Sequence, residues 1–208
     1  METNCINPGQ PGIRKGDVIA FFDRLAPGWE KDLVVDTAKI NTILDAAGVR
    51  PGSRVLDVAC GTGVLFPFYQ QRQAAEVLAV DISPEMARIA AANARPPIRV
   101  LCHDIETLDP TDRYDCCVVY NAFPHFPDPA GLVEHLARWL VPGGRLTVAH
   151  SMGIGQLNHH HAGCAASVSL AMLPAQELAR IFDRWFTVDT VVSDEGEYIV
   201  SGRRKDRT

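Results

Sequence analysis

The chain has 208 residues, of which 47% are apolar and 22% charged, and its formal net charge is −5. Those values describe one ordinary globular domain with a substantial core, and they lack the basic excess that a nucleic-acid-binding face usually demands. No apolar run approaches the length of a membrane span, and residues 1–7 lack the basic and apolar regions of a signal peptide, so a cytoplasmic protein is expected.

Residues 1–16, with Pro8, Gly9, Pro11, Gly12 and Gly16, are turn-rich and without periodicity, and read as an N-terminal arm. From Asp17 the spacing of Val18, Phe21, Phe22 and Leu25 predicts a helix that Pro27 and Gly28 stop. A second helix is predicted over 31–47, with Val34, Val35, Ala38, Ile43 and Leu44 as its apolar stripe, before Gly48 and Pro51-Gly52. Together residues 17–50 form a helical segment ahead of the first strand.

Val55, Leu56, Asp57, Val58 and Ala59 are a short apolar run with one carboxylate, breaking into Cys60-Gly61-Thr62-Gly63. This reads as a buried strand delivering a tight glycine turn, where the backbone passes close under a ligand and opens a helix over 64–73. A second run, Val77 to Val80, ends in Asp81, placed to accept hydrogen bonds from ribose hydroxyls. Either a nicotinamide dinucleotide or S-adenosylmethionine would fit such a pair. The dinucleotide fingerprint needs a further glycine three residues after Gly63, where this chain has Phe66. The third run, Ile98, Val100 and Leu101, leads to Asp104-Ile105, whose acid suits an adenine amino group, and Asp57 suits the ammonium of an amino acid. These favour S-adenosylmethionine.

Ser83 and Pro84 start a helix over 84–94, and a fourth strand is predicted over 114–120. A helix over 130–140, a fifth strand over 145–149, a helix over 174–182 and a closing hairpin of 186–192 with 197–201 follow. The six cysteines contain no C-x-x-C spacing, and most are expected to be small buried hydrophobes; neighbours Cys116 and Cys117 point to opposite faces of one strand.

With these motifs in order, the chain resembles the class I S-adenosylmethionine-dependent methyltransferases, more narrowly a small bacterial, uncharacterised subgroup. The matching residues run from Val55 through Gly63, then Asp81-Ile82-Ser83-Pro84-Glu85-Met86, Asp104-Ile105, Tyr114-Asp115 with Asn121, and Leu140 through Leu146. Ala59 departs from the pattern, standing where the family often has a third glycine, and a slight shift of the turn is expected. The resemblance implies a Rossmann-like α/β fold: a seven-stranded, mostly parallel sheet, an antiparallel C-terminal hairpin strand, and helices on both faces. It implies one domain over 1–208, with an arm over 1–16, a helical lid over 17–50 and a substrate-side insertion over 150–173. The cofactor-binding residues it implies are Trp29, Asp57, Ala59, Gly61, Gly63, Asp81, Ile82, Met86, Asp104, Ile105 and Asn121.

Methyl transfer from a sulfonium is an in-line displacement that chiefly needs alignment and exclusion of water, with a base only if the nucleophile must lose a proton. Five of the seven histidines, His125, His150, His159, His160 and His161, fall after strands four and five. A weaker resemblance to that same bacterial subgroup carries His150, Ser151, Asn158 and His161. The catalytic candidates are therefore His161, His150, His125 and Asn158, with Asn158 and His161 on one helical face. No metal is expected; if one were present, it would sit among His125, His150 and His161.

The expected function is methyl transfer from S-adenosylmethionine to a small-molecule acceptor at O, N or S, with no nucleic acid or membrane partner. The alternatives are metal-assisted transfer, a methyltransferase acting on RNA or protein, a non-catalytic cofactor-binding protein, and a nucleotide-dependent oxidoreductase, which Phe66 and the lack of a Tyr-x-x-x-Lys pair disfavour.

Overall fold

The computed structural model describes residues 13–31 and 33–206, without the side chains of residues 160–164. The elements are α1 (Lys15–Leu25), α2 (Thr37–Ala46), β1 (Arg54–Val58), α3 (Phe66–Gln71), β2 (Glu76–Asp81), α4 (Pro84–Asn93) and β3 (Ile98–Cys102). There follow β4 (Tyr114–Tyr120), α5 (Pro129–Ala137), β5 (Leu140–His150), α6 (Ile154–Cys164), α7 (Ala175–Phe182), β6 (Phe186–Ser193) and β7 (Tyr198–Arg204). A 3-10 turn over Ala26–Lys31 extends α1.

The seven strands form one sheet in the order β3-β2-β1-β4-β5-β7-β6. The first five run parallel, and β7 pairs antiparallel with both β5 and β6, as the sequence led one to expect. The order reverses direction between β1 and β4, which opens a crevice at their carboxyl ends where such sheets bind ligands.

The alternation of side chains along the strands divides the core in two. Leu56, Val58, Leu78, Val80, Cys117, Val119, Leu146 and Val148 face α5 and α7, where Leu132, Val133, Leu136, Leu178 and Phe182 are buried. Val55, Val77, Ala79, Cys116 and Val118 face the other layer, made by Ile40 and Leu44 of α2, Phe66 to Tyr69 of α3, and Ala90 of α4. Cys116 and Cys117 thus lie on opposite faces. Each fully buried Val or Leu contributes about 1.5–3 kcal/mol, so both layers hold the parallel strands in register.

Several boundaries differ from the sequence-based expectation. Most of the expected arm lies outside the described residues, and its end, Lys15-Gly16, already belongs to α1. The second helix begins only at Thr37, because the Asp36 side chain accepts the Lys39 N–H at 3.1 Å and caps it there. Val34 and Val35 consequently lie outside the helix and are exposed, not part of an apolar stripe. The helix before β5 stops at Ala137, and Leu140 is already strand, pairing with Tyr114. The register then jumps to Cys116 opposite Arg145, so residues 141–144 bulge out of β5. Cys60, Cys116 and Cys117 are buried, as expected of most of the cysteines, whereas Cys102 at the end of the edge strand β3 is exposed; Cys5 and the Cys164 side chain lie outside the described residues.

Candidate functional site

The turn after β1 takes three left-handed residues to complete: Ala59 at φ 54°, Gly61 at φ 57° and Gly63 at φ 94°. Glycine adopts that region freely, whereas Ala59 carries a Cβ there and pays a conformational cost of roughly 1–2 kcal/mol. At Gly63 a Cβ would strike the Phe66 ring at 2.4 Å, so the ring packs directly against the turn. At Gly61 nothing lies within 4 Å of an added Cβ, and that face of the turn is open.

Asp81 closes the turn onto β2. Its Oδ2 accepts the Gly61 N–H at 2.8 Å and its Oδ1 accepts the Ser83 N–H at 2.9 Å. Burial pushes the Asp81 carboxyl up to about 6, against the pull of the Ser83 and Gly61 amides. Asp57, 2% exposed, faces α3; burial, reinforced by the Asp81 charge, pushes its carboxyl up to about 8 while the Tyr69 hydroxyl opposes the rise. Two buried acids flank an open glycine face, an arrangement that suits a ligand bringing its own positive charge and hydroxyl donors.

Ser83 caps α4 as expected, its Oγ accepting the Met86 N–H at 3.1 Å, and Met86 is buried beneath. The N-terminal segment lies over this helix start. Ser83 donates its hydroxyl to Asp23 Oδ1 at 2.5 Å, and the Glu85 N–H donates to the same oxygen at 3.1 Å. Asn93 links the segment to the turn, donating to Glu30 at 2.7 Å and to the Thr62 carbonyl at 3.0 Å. Phe22 meets Trp29 edge-on at 5.8 Å and His125 at 4.9 Å. Lys15 pairs with Asp104 and, at 3.0 Å, with Glu106; burial lowers its ammonium pKa, but the two carboxylates leave it raised overall. Asp104 also accepts the Glu106 N–H at 3.0 Å, Ile105 is buried, and Ile82 is half-buried beside Asp81. Lys15 was not foreseen as a site residue, since it fell in the stretch read as an arm; Asp23 lay within the expected lid, but no local pattern marks it as a partner for a helix start sixty residues on.

At the carboxyl ends of β4 and β5, Asn121 (φ 53°) holds Ser151 with both ends of its amide. Its Oδ1 accepts the Ser151 N–H at 2.9 Å, and its Nδ2 donates to Ser151 Oγ at 3.2 Å. Lys39 donates to the Ser151 carbonyl at 3.1 Å and the Gly196 carbonyl at 2.8 Å, tying α2 and the closing hairpin to the same point.

The candidate catalytic residues are placed unequally. His125 is largely buried, its Nδ1 2.9 Å from the Val168 carbonyl and 3.1 Å from Ser169 Oγ; burial lowers its pKa while that carbonyl raises it. His150, the last residue of β5, has no exposed surface and packs edge-on against Tyr198 at 6.1 Å. It ends β5 opposite Tyr198 of β7, at the same carboxyl end of the sheet as Asn121 and Ser151. Asn158 accepts the Met172 N–H at 2.7 Å, pinning α6 to the chain ahead of α7. Residues 158 and 161 do share a helix, but the His161 side chain lies outside the described residues. Among the described residues no three His, Cys, Asp or Glu side chains come together as a metal set.

A sequence model described as a methyltransferase domain matches residues 55–144, the stretch from β1 to the bulge in β5. The ubiquinone biosynthesis O-methyltransferase of Xanthomonas oryzae pv. oryzae (strain PXO99A) is 30% identical over 138 residues, covering 64% of this chain and 53% of the relative. The chain spans about half the length of the curated relatives it matches. Among solved structures, a complex of DhpI with SAH superposes with a TM-score of 0.70 at 18% identity, covering 93% of this chain and 98% of that one. The cyclase SpnF superposes with a TM-score of 0.74 at 15% identity, covering 95% and 99%. At such identities these structures show the shared fold alone.

Proposed function

We propose, on the premise that this chain belongs to the class I S-adenosylmethionine-dependent methyltransferases, that it transfers a methyl group from S-adenosylmethionine to an oxygen of a small-molecule acceptor. Oxygen is favoured over nitrogen and sulfur by the similarity to the Xanthomonas relative, an O-methyltransferase. The observation that carries the reading is the open Gly61 face clasped by Asp81 with Asp57 buried behind it.

The cofactor, when bound, supplies a methyl group on a positively charged sulfur, ready for in-line displacement. Asp57, Ala59, Gly61 and Gly63 would hold its amino-acid end, the Asp57 carboxylate complementing the positive charge. Asp81 would accept ribose hydroxyls, with Ile82 and Met86 against the base, and Asp104 with Ile105 would take the adenine edge. Trp29, braced by Phe22, and Asn121, braced by Ser151, would cover it and exclude water.

His161 is the residue we assign to the acceptor's proton, because α6 sets it one turn beyond Asn158 and Asn158 is fastened to the Met172 backbone. His125 and His150 support from behind, one anchoring residues 168–169 and the other packing against Tyr198. Among the described residues no helix is long and apolar enough to cross a membrane.

The test is incubation with methyl-labelled cofactor and a panel of small phenols, thiols and amines. Label moving to a phenol is the expected result. Tight binding of S-adenosylhomocysteine with no transfer to any acceptor would leave a cofactor-binding protein and overturn the enzymatic reading.

A further inference from the structure

A second concavity lies at the other end of the sheet. A cavity of about 400 Å³ opens between the loop before β1, the start of β4 and the bulge of β5, with Ser53 and Cys116 among its lining residues. Counting residues from Ser53 to Ala59 at about 3.3 Å each puts it roughly 20 Å from the glycine turn, too far for anything bound there to meet the transferred methyl group.

Its charged walls are mainly basic. Arg50, Arg145 and Arg203 all line it, with Asp115 the acidic residue among them. Asp115 is already engaged, accepting the Arg54 N–H at 2.8 Å. Arg145 is held flat by Asp189, with contacts between 2.5 and 3.3 Å, and Arg203 reaches the same carboxylate only at 3.8 Å. One carboxylate is thus shared by two guanidiniums. Among the described residues Arg50 has no acidic partner at ion-pair distance. Cys116 feels two of these cations: burial pushes its thiol up to about 11, and Arg145 and Arg50 pull it back.

The backbone around the cavity is equally suggestive. Gly52 at φ 85° and Gly143 at φ 74° both line it, and nothing lies within 4 Å of where a Cβ would stand on either. A bound group can therefore approach the main chain on both sides, as phosphate sites on glycine turns require. Asp189 fixes the Arg145 fork, so little side-chain entropy remains to be lost on binding at that residue.

We propose that this cavity is a second binding site, for a small molecule carrying a phosphate group, gripped by Arg50 and Arg203 over the fixed Arg145. A phosphate dianion presents oxygens to the Arg50 and Arg203 guanidiniums at once, above the Asp189-held Arg145, and offsets charge that Asp115 and Asp189 leave over, whereas a carboxylate can satisfy only one fork. The volume exceeds what the anion needs and leaves room for an organic body of sugar size.

The experiment titrates the full chain with inorganic phosphate, ribose 5-phosphate and acetate at constant ionic strength, followed by amide chemical shifts. The expected result is saturable binding of the phosphates, with the largest shifts in residues 48–53 and 141–145 and with acetate much weaker. Tighter binding of ribose 5-phosphate than of phosphate identifies an organic ligand, and equal binding identifies free phosphate. The Arg50→Gln variant, exposed and without an ion pair to lose, should weaken phosphate by about tenfold or more while keeping its melting temperature and its affinity for S-adenosylhomocysteine. Arg203→Gln should do the same to a smaller degree. Acetate binding as well as phosphate, no saturable shifts, or unchanged phosphate affinity in folded Arg50→Gln would each overturn the proposal. None of these outcomes touches the cofactor reading, which stands or falls on S-adenosylhomocysteine.

Discussion

Asp81 Oδ2 accepts the backbone N–H of Gly61 at 2.8 Å, so the carboxylate at the end of β2 shapes the glycine turn at the end of β1. The residue therefore has two duties, holding the turn and, in the proposed complex, receiving ribose hydroxyls. Asp81→Ala should lower the affinity for S-adenosylhomocysteine by about 1.5–3 kcal/mol and also reduce the melting temperature, because the Gly61 and Ser83 amides lose their acceptor. Calorimetric titration and thermal unfolding of the same variant read both effects. A variant that melts lower but binds normally would restrict Asp81 to the structural duty.

The turn itself carries a removable strain. Ala59→Gly relieves a left-handed alanine and should stabilise the protein by about 0.5–1 kcal/mol, part of the gain being offset by the flexibility glycine adds to the unfolded chain. Gly63→Ala should act in the opposite direction, by about 2 kcal/mol or more, since its Cβ would meet the buried Phe66 ring at 2.4 Å. Urea denaturation of the two variants separates these signs. Equal stability of Gly63→Ala and the parent would show that Phe66 moves aside freely.

Asp57 makes stability depend on pH in a defined sense. Its carboxyl rises from 3.8 to about 8 on folding, so between those limits the folded chain keeps a proton that the unfolded chain releases. The apoprotein is accordingly expected to lose stability from this group as pH rises from about 4 to about 8, and Asp81 adds to the loss up to about 6. Asp57→Asn, which cannot ionise, should melt higher than the parent at pH 8.5 and bind S-adenosylhomocysteine more weakly. A parent melting temperature that climbs steadily from pH 5 to 8, with no gain in Asp57→Asn at pH 8.5, would contradict the buried protonated acid.

At neutral pH, positive charge from the bound ligand should expel that proton from Asp57. Binding of S-adenosylhomocysteine, whose amino group is cationic, should therefore release close to one proton at pH 7. The measured heat would then vary with the ionisation enthalpy of the buffer. Identical heats in phosphate and Tris would count against it.

The histidines should divide by place. His161→Ala is expected to cost two to four decades in turnover, about 3–5 kcal/mol, while sparing cofactor affinity. His150→Ala should instead lower stability by about 2 kcal/mol or more, because it empties a fully buried site against Tyr198. Rates and melting temperatures of the two variants decide this. Full turnover in His161→Ala would return α6 to a purely structural role.

Much of this molecule was legible locally. Val55 to Gly63, Asp81 and Asp104 stood out because strands of alternating or continuous apolar residues end in acids and glycines at fixed spacing, and such patterns need only neighbours in sequence to be read. The opposite facing of Cys116 and Cys117 followed from the same strand periodicity, whereas the order of the strands was given by the folded sheet. What the sequence could not decide was where residues without a periodic signature would land. Val34 and Val35 matched a helical stripe but lie ahead of the Asp36 cap, which starts the helix with one hydrogen bond. His150 looked like a loop residue until β5 ran on through Ala149 to pair it with Tyr198 and bury it. Lys15 on Asp104, Asp23 on Ser83, and the three arginines around one cavity join residues 58 to 153 positions apart. Those meetings depend on the packing of helices and on strand order, so side-chain distances in the folded chain decide them and local sequence spacing does not.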